Sequence, residues 1–240
     1  MNGFVKICLT LTLLSAAAAV AGDNPLMEST KADKDVPLTT NPGLSFWSST
    51  PPVYAETDTY GKPLPRYRTE VRSRWTKDNL YFLFICPYEK LHLKPDPHPK
   101  AETFQLWDWD VAEVFIGSDF ENIRHYKEFE VSPRGEWIDL DIDLSKPHHE
   151  EGWKWNSRFQ VAARIDHRAH VWFAAMRIPF SALDQTPPTV GNKFRVNLFR
   201  SQGPDHKLIV WQPTMSDTFH VPERFGILTL VEQQSAERSK

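Results

Sequence analysis

Glu113 places an ionisable carboxyl inside the apolar run 111–116, between Ala112 and Val114. A charged group in such surroundings must be paired or must face a polar site. Glu128 and Glu130 occupy alternate positions in the run 126–132. Either of them, with Glu113, would supply the acid and the nucleophile or base of a glycoside hydrolase acting on O-glycosyl bonds. Asp139, Asp141 and Asp143 alternate with Leu140 and Ile142, which puts three carboxylates on one strand face. Such a face is solvated, paired with cations or bound to a metal, and hard oxygen donors suit calcium. His148-His149-Glu150-Glu151 offers transition-metal donors, but all from one loop. A closed site draws ligands from several elements, so this segment reads as a solvated loop.

Positioning these groups falls to short strands. Residues 71–75 and 80–86, joined through Thr76-Lys77-Asp78-Asn79, form an expected hairpin whose second strand is buried on both faces. A Pro-rich loop fills 87–106. The runs 111–116, 126–132 and 137–143 follow as a meander, with Pro133-Arg134-Gly135-Glu136 turning the second into the third. The runs 159–165, 171–178, 194–200, 208–211 and 225–231 complete the pattern. The class is all-β, a jelly-roll-like β-sandwich of about nine to ten main strands. Fifteen Phe, nine Trp and six Tyr supply its core. Residues 22–43 are polar and lack an apolar period, so they read as a flexible tether, with order beginning near Phe46-Trp47. The domain is expected over 44–232, with a polar tail at 233–240.

The N-terminus has Lys6, then an apolar and small-residue run that ends in Ala19-Val20-Ala21. This is the pattern of a secretory signal peptide over residues 1–21, cleaved after Ala21, and it is too short for a retained span. Export to the periplasm or cell exterior as a monomer is the expectation. The net charge is −3 and removal of Lys6 makes it more negative, so no basic footprint invites nucleic acid or an anionic membrane. Of two cysteines, Cys8 falls in the signal and Cys86 in the apolar run 80–86, which leaves no intramolecular disulfide.

The ordered segments TEVRSRWTKDNLYFLFICPYE, LWDWDVAEVFIGSDFENIRHYKEFEVSPRGEWIDLDID, WFAAMRIPFSAL, GNKFRVNLFR and FHVPERFGILTL resemble the family 9 carbohydrate-binding modules. The most specific part is W-x-D-x-x-E-V-F at 107–115, followed by Y-x-E-F-E-V-x-P-x-G at 126–135. The resemblance implies a β-sandwich that binds sugar without transforming it, two aromatic rings holding a terminal sugar, polar side chains on its hydroxyls, and structural calcium. It implies Trp107 as the first ring and Trp211 as the second, with Glu113 and Arg134 as hydroxyl partners. Trp109 is the spare platform for Trp107. Asn197 and Arg200 complete the candidate set, or else pair with Glu128 or Glu130 across the sheet. Calcium would fall to Asp139, Asp141 and Asp143. An oligosaccharide or polysaccharide is the expected partner, together with a separate polysaccharide-degrading enzyme. A haem-binding redox sandwich is the remaining alternative, but there is no C-x-x-C-H, and Met176 lies in an alternating strand as a core residue.

Overall fold

The computed structural model describes residues 26–48, 50–183 and 187–233. The expected signal segment and C-terminal tail therefore fall outside the described residues, apart from Gln233. Twelve strands are present: β1 (Leu26–Lys31), β2 (Val53–Ala55), β3 (Thr69–Trp75), β4 (Asn79–Pro87), β5 (Val111–Gly117), β6 (His125–Val131), β7 (Trp137–Asp143), β8 (Gln160–Asp166), β9 (Val171–Pro179), β10 (Lys193–Gln202), β11 (Lys207–Val210) and β12 (Gly226–Val231). They hydrogen-bond in the order β7-β6-β5-β10-β12-β1-β3-β4-β9-β8, with β11 added to β10 and β2 to β3. The sheet folds over so that its two halves face each other as a β-sandwich. Between them lie Leu80, Phe82, Phe84, Trp172 and Met176 from one half and Val114, Ile116, Phe129, Leu198 and Leu228 from the other.

All ten expected strands are present, and β1 and β2 are additional. The tether reading of 22–43 is corrected over residues 26–31 by β1, which runs parallel to both β12 and β3 and bridges the two halves of the sandwich. Met27 enters the core, and the buried Ser29 hydroxyl accepts a 2.8 Å hydrogen bond from Ser73. Local composition could not reveal this strand because its partners lie far away in sequence. The hairpin of β3 and β4 is as expected, with Leu80 paired to Trp75. Leu80, Phe82 and Phe84 on one face of β4 join the sandwich core. Its other face offers Tyr81 and Leu83 to Trp47. Trp47 sits on the short helix α1 (Ser45–Ser48).

The meander β5-β6-β7 has two different faces. Ala112, Val114 and Ile116 point into the sandwich core, while Val111, Glu113, Phe115 and their neighbours point outward. That outward face is still buried. A second cluster covers it, with Phe115, Tyr126, Leu140, Ile142 and Phe199 on the strands and Phe219 from the loop before β12. Covering loops on the outer face of a sheet are the natural place for a cavity.

Candidate functional site

The register of β5, β6 and β10 assembles the site. Glu113 sits opposite Glu130 on β6 and Phe199 on β10, and Phe115 sits opposite Glu128. Opposed residues share a face, so all three glutamates project outward together. One carboxylate oxygen from each lies within 4.8 Å of the others, and all three residues are buried. Glu113 accepts a 3.4 Å hydrogen bond from the Ser201 hydroxyl. Glu128 Oε2 and both oxygens of Glu130 have no hydrogen-bond partner. Among the described residues the basic group within ion-pair range is His220, whose Nε2 lies 4.0 Å from Glu128 Oε2.

Burial therefore dominates the protonation of the cluster. It pushes Glu128 up to about 7. It pushes Glu113 and Glu130 well above the ordinary range too, with the neighbouring carboxylates adding to the effect in both. Desolvation lowers His220 to about 4, so this imidazole is neutral at pH 7. Its Nδ1 lies 2.7 Å from the Tyr126 hydroxyl, which burial holds protonated. A tautomer with the proton on Nε2 lets Nδ1 accept from Tyr126 and turns the N–H toward Glu128.

Above Glu113 and Glu128 opens a cavity of ≈ 390 Å³, within the ordinary range of about 300–1,000 Å³ for small-molecule sites. Phe115, Leu140 and Ile142 give it an apolar floor, and Trp107, Phe219, His220 and His149 stand around it. Trp107 rides on a 3-10 turn, Leu106–Asp108, entered through Gln105 in the left-handed region at φ 60°. That conformation is costly for a residue with a Cβ. Asp110 anchors the turn's far end by accepting from the backbone of His92 at 3.0 Å and Gly203 at 2.5 Å and from the Gln202 amide at 3.0 Å. The rings of Phe104 and Trp107 meet edge to face, 5.4 Å apart. His149 opens a second 3-10 segment, His149–Lys154, which lies against β7. There Gly152 approaches the Asp141 carbonyl so closely that a Cβ would stand 2.3 Å from its oxygen.

Of the residues expected to bind sugar, Trp107 and Glu113 meet at this cavity, joined there by Glu128, with Glu130 beside them; the other expected sugar-binding residues lie elsewhere. Trp109 stacks on His92, with ring centroids 4.5 Å apart, and so braces the loop. Trp211 lies just past β11 and packs partly buried against Ala55, Tyr67 and Ile209. Arg134 is exposed on its turn and donates to the Lys94 carbonyl at 3.2 Å. Asn197 is spent on the backbone, donating to the Gln212 carbonyl at 2.9 Å and accepting from the Gln212 and Leu198 amides. Arg200 points to the opposite side of β10, where it donates to Thr69 Oγ1 at 3.1 Å and to Gln202. Neither Asn197 nor Arg200 pairs with Glu128 or Glu130.

The three aspartates of β7 are likewise divided among separate partners. Asp139 is fully buried and accepts from the Ser157 amide, Asp141 binds Lys127 and His125, and Asp143 binds Ser145 and Lys146. The converging acids are instead Glu113, Glu128 and Glu130. Met176 is buried in the sandwich core. Phe219 and His220 were not read from the sequence. The available signal was the adjacent aromatic pair Phe219-His220 in the stretch between β11 and β12.

An extracellular protein of Arthroderma benhamiae is 25% identical over 184 residues, covering 71% of this chain and 81% of that one. Endo-1,4-beta-xylanase A of Thermotoga neapolitana is 21% identical over 188 residues, covering 78% of this chain. The match takes in only 16% of the xylanase. A family 9 carbohydrate-binding module from Caldicellulosiruptor kristjanssonii, solved with cellotriose, superposes with a TM-score of 0.61 at 12% identity, covering 90% of this chain and 98% of that one. At such identity the likeness is one of fold. The family profile described as carbohydrate family 9 binding domain-like matches residues 45–233, and the chain belongs to that family.

Proposed function

We propose that this protein binds carbohydrate in the cavity beside Trp107 and leaves it chemically unchanged. The observation that carries the reading is the pairing, in one recess, of a partly exposed indole with buried carboxylates. A pyranose presents an apolar C–H face and a rim of hydroxyls, so it needs both a flat ring and strong acceptors. Trp107 supplies the ring, Phe219 and the cavity floor supply apolar contact, and Glu113, Glu128 and Ser201 supply hydroxyl partners. The arrangement of the carboxylates supports binding without hydrolysis. Glu113 and Glu130 are direct cross-strand neighbours on one wall. A glycosidase pair must instead flank the scissile bond.

Membership of the family and the match to a short part of a xylanase support a role in capturing polysaccharide, in partnership with a separate degrading enzyme. The N-terminal sequence supports export, with the mature chain starting near Gly22. Calorimetric titration with glucose, cello-oligosaccharides and xylo-oligosaccharides tests the binding claim, and a reducing-sugar assay tests the absence of hydrolysis. Saturable binding with no sugar release is expected. Steady release of reducing ends that is lost in Glu113→Gln would establish the hydrolase reading instead.

A further inference from the structure

Three buried carboxylates converge at Glu113, Glu128 and Glu130, with neither lysine nor arginine in ion-pair contact among the described residues. Glu130 is fully buried, and the side chain it meets is another carboxyl, that of Glu128; no donor from the rest of the described residues reaches either of its oxygens. Buried acceptors are ordinarily satisfied, and buried carboxyls that have only one another call for a missing partner. The cavity over Glu113 and Glu128 gives that partner a way in. From this geometry we infer that the Glu113–Glu128–Glu130 cluster is a binding site for a hard divalent cation of about calcium's size.

The donor set and spacing both fit. Carboxylate oxygens are the ligands that calcium prefers, at about 2.3–2.6 Å, so two oxygens on one ion can stand up to roughly 5 Å apart. The three here lie within 4.8 Å of one another. A magnesium ion holds its ligands at about 2.0–2.1 Å and would require the cluster to contract. A divalent charge against three carboxylates leaves one residual negative charge, whereas a single ammonium would leave two. The other titratable groups near the cluster are His220, 4.0 Å from Glu128, His149, in edge contact with His220 at 4.6 Å between ring centroids, and Asp108, whose charge adds to the repulsion on Glu130. Three protein oxygens do not complete a shell of about six to eight. The open positions face the cavity, where water or two adjacent sugar hydroxyls would complete the shell. This last step rests on the carbohydrate reading, whereas the cation site itself does not.

The test uses full-length protein stripped of metal, with Ca²⁺ or Mn²⁺ alone as the probe in calorimetric titration, and Glu130→Gln and Glu113→Gln as variants. One ion per chain is expected, with affinity rising as the pH is raised, because carboxyl ligands bind metal only when deprotonated. Glu130→Gln should weaken binding at least tenfold. If Glu130→Gln does not fold, Glu113→Gln must show the same weakening. Absence of binding at millimolar Ca²⁺ and Mn²⁺, or undiminished affinity in both variants, overturns the inference. So does binding of glucosamine to metal-free protein that Ca²⁺ fails to displace, which would make an ammonium the missing partner. Cation binding with no sugar binding leaves the inference standing and removes the carbohydrate reading. Sugar binding that is indifferent to chelator, with no cation bound, does the reverse.

Discussion

Replacing Glu128 by glutamine should stabilise the metal-free protein at neutral pH and leave it unchanged in acid. The ordinary value for a glutamate is 4.5, and burial holds Glu128 at about 7. A carboxyl raised in the folded state contributes stability that is fully present below about 4.5 and is lost as the pH climbs to 7, because the folded protein retains a proton that the unfolded chain has released. At about 1.4 kcal/mol per pH unit, that loss amounts to about 3 kcal/mol for Glu128. His220, held near 4, has the opposite slope: its contribution is present above 6.5 and is lost as pH falls toward 4. The wild-type profile alone therefore conceals both effects. The difference between Glu128→Gln and wild type removes the part of the histidine's slope that does not depend on its 4.0 Å contact with Glu128. It should be near zero at pH 4.5 and grow to about 3 kcal/mol in favour of the variant at pH 8. Removing one like charge also eases Glu130, in the same direction. Urea unfolding followed by tryptophan fluorescence, in chelator at pH 4.5, 6, 7 and 8, measures that difference. A difference that stays flat with pH, or a variant less stable than wild type at pH 8, would refute the account of the cluster.

Gly152→Ala should cost about 1–3 kcal/mol, because a Cβ would collide with the Asp141 carbonyl. As His149 shares that segment, sugar affinity should also fall, and thermal melts with parallel titrations check both. Asn197→Ala strips partners from the partly buried backbone of Gln212 and the buried backbone of Leu198, and should cost about 1–3 kcal/mol in urea unfolding while leaving sugar affinity intact. Intact-mass analysis of secreted protein should show a chain starting at Gly22, and retention of residues 1–21 would contradict the export reading.

The strands were legible where side chains alternate between a core and a wet or functional face, as in β5, β6 and β7. β1 was not, because LMESTK buries one large apolar residue and owes its place to parallel pairing with β3 and β12. Trp107 was named from the family resemblance, and Glu113 from that and from its apolar neighbours; both line one cavity because they stand six positions apart across one turn and one strand. The remaining site depends on register and on a distant loop. Glu130 reaches Glu113 through cross-strand pairing, and Phe219 and His220 arrive from the connection into β12. The aspartate row of β7 misled because alternation specifies a face and not its solvent exposure. Asp139 is buried under the Ser157 segment, and Asp141 is taken by Lys127.

The most direct test of the carbohydrate-binding account is a parallel calorimetric titration of wild type, Trp107→Ala and Trp211→Ala with a sugar that wild type binds, with melting temperatures recorded alongside. Trp107 stands at the cavity, and its loss should remove about 1 kcal/mol or more of stacking and burial from a modest affinity, abolishing measurable binding in a folded protein. Trp211 packs against Ala55, Tyr67 and Ile209, so its loss should lower the melting temperature and spare the affinity of whatever remains folded. Unchanged stability and unchanged affinity in Trp107→Ala, with binding lost in folded Trp211→Ala, would place the sugar somewhere other than this cavity.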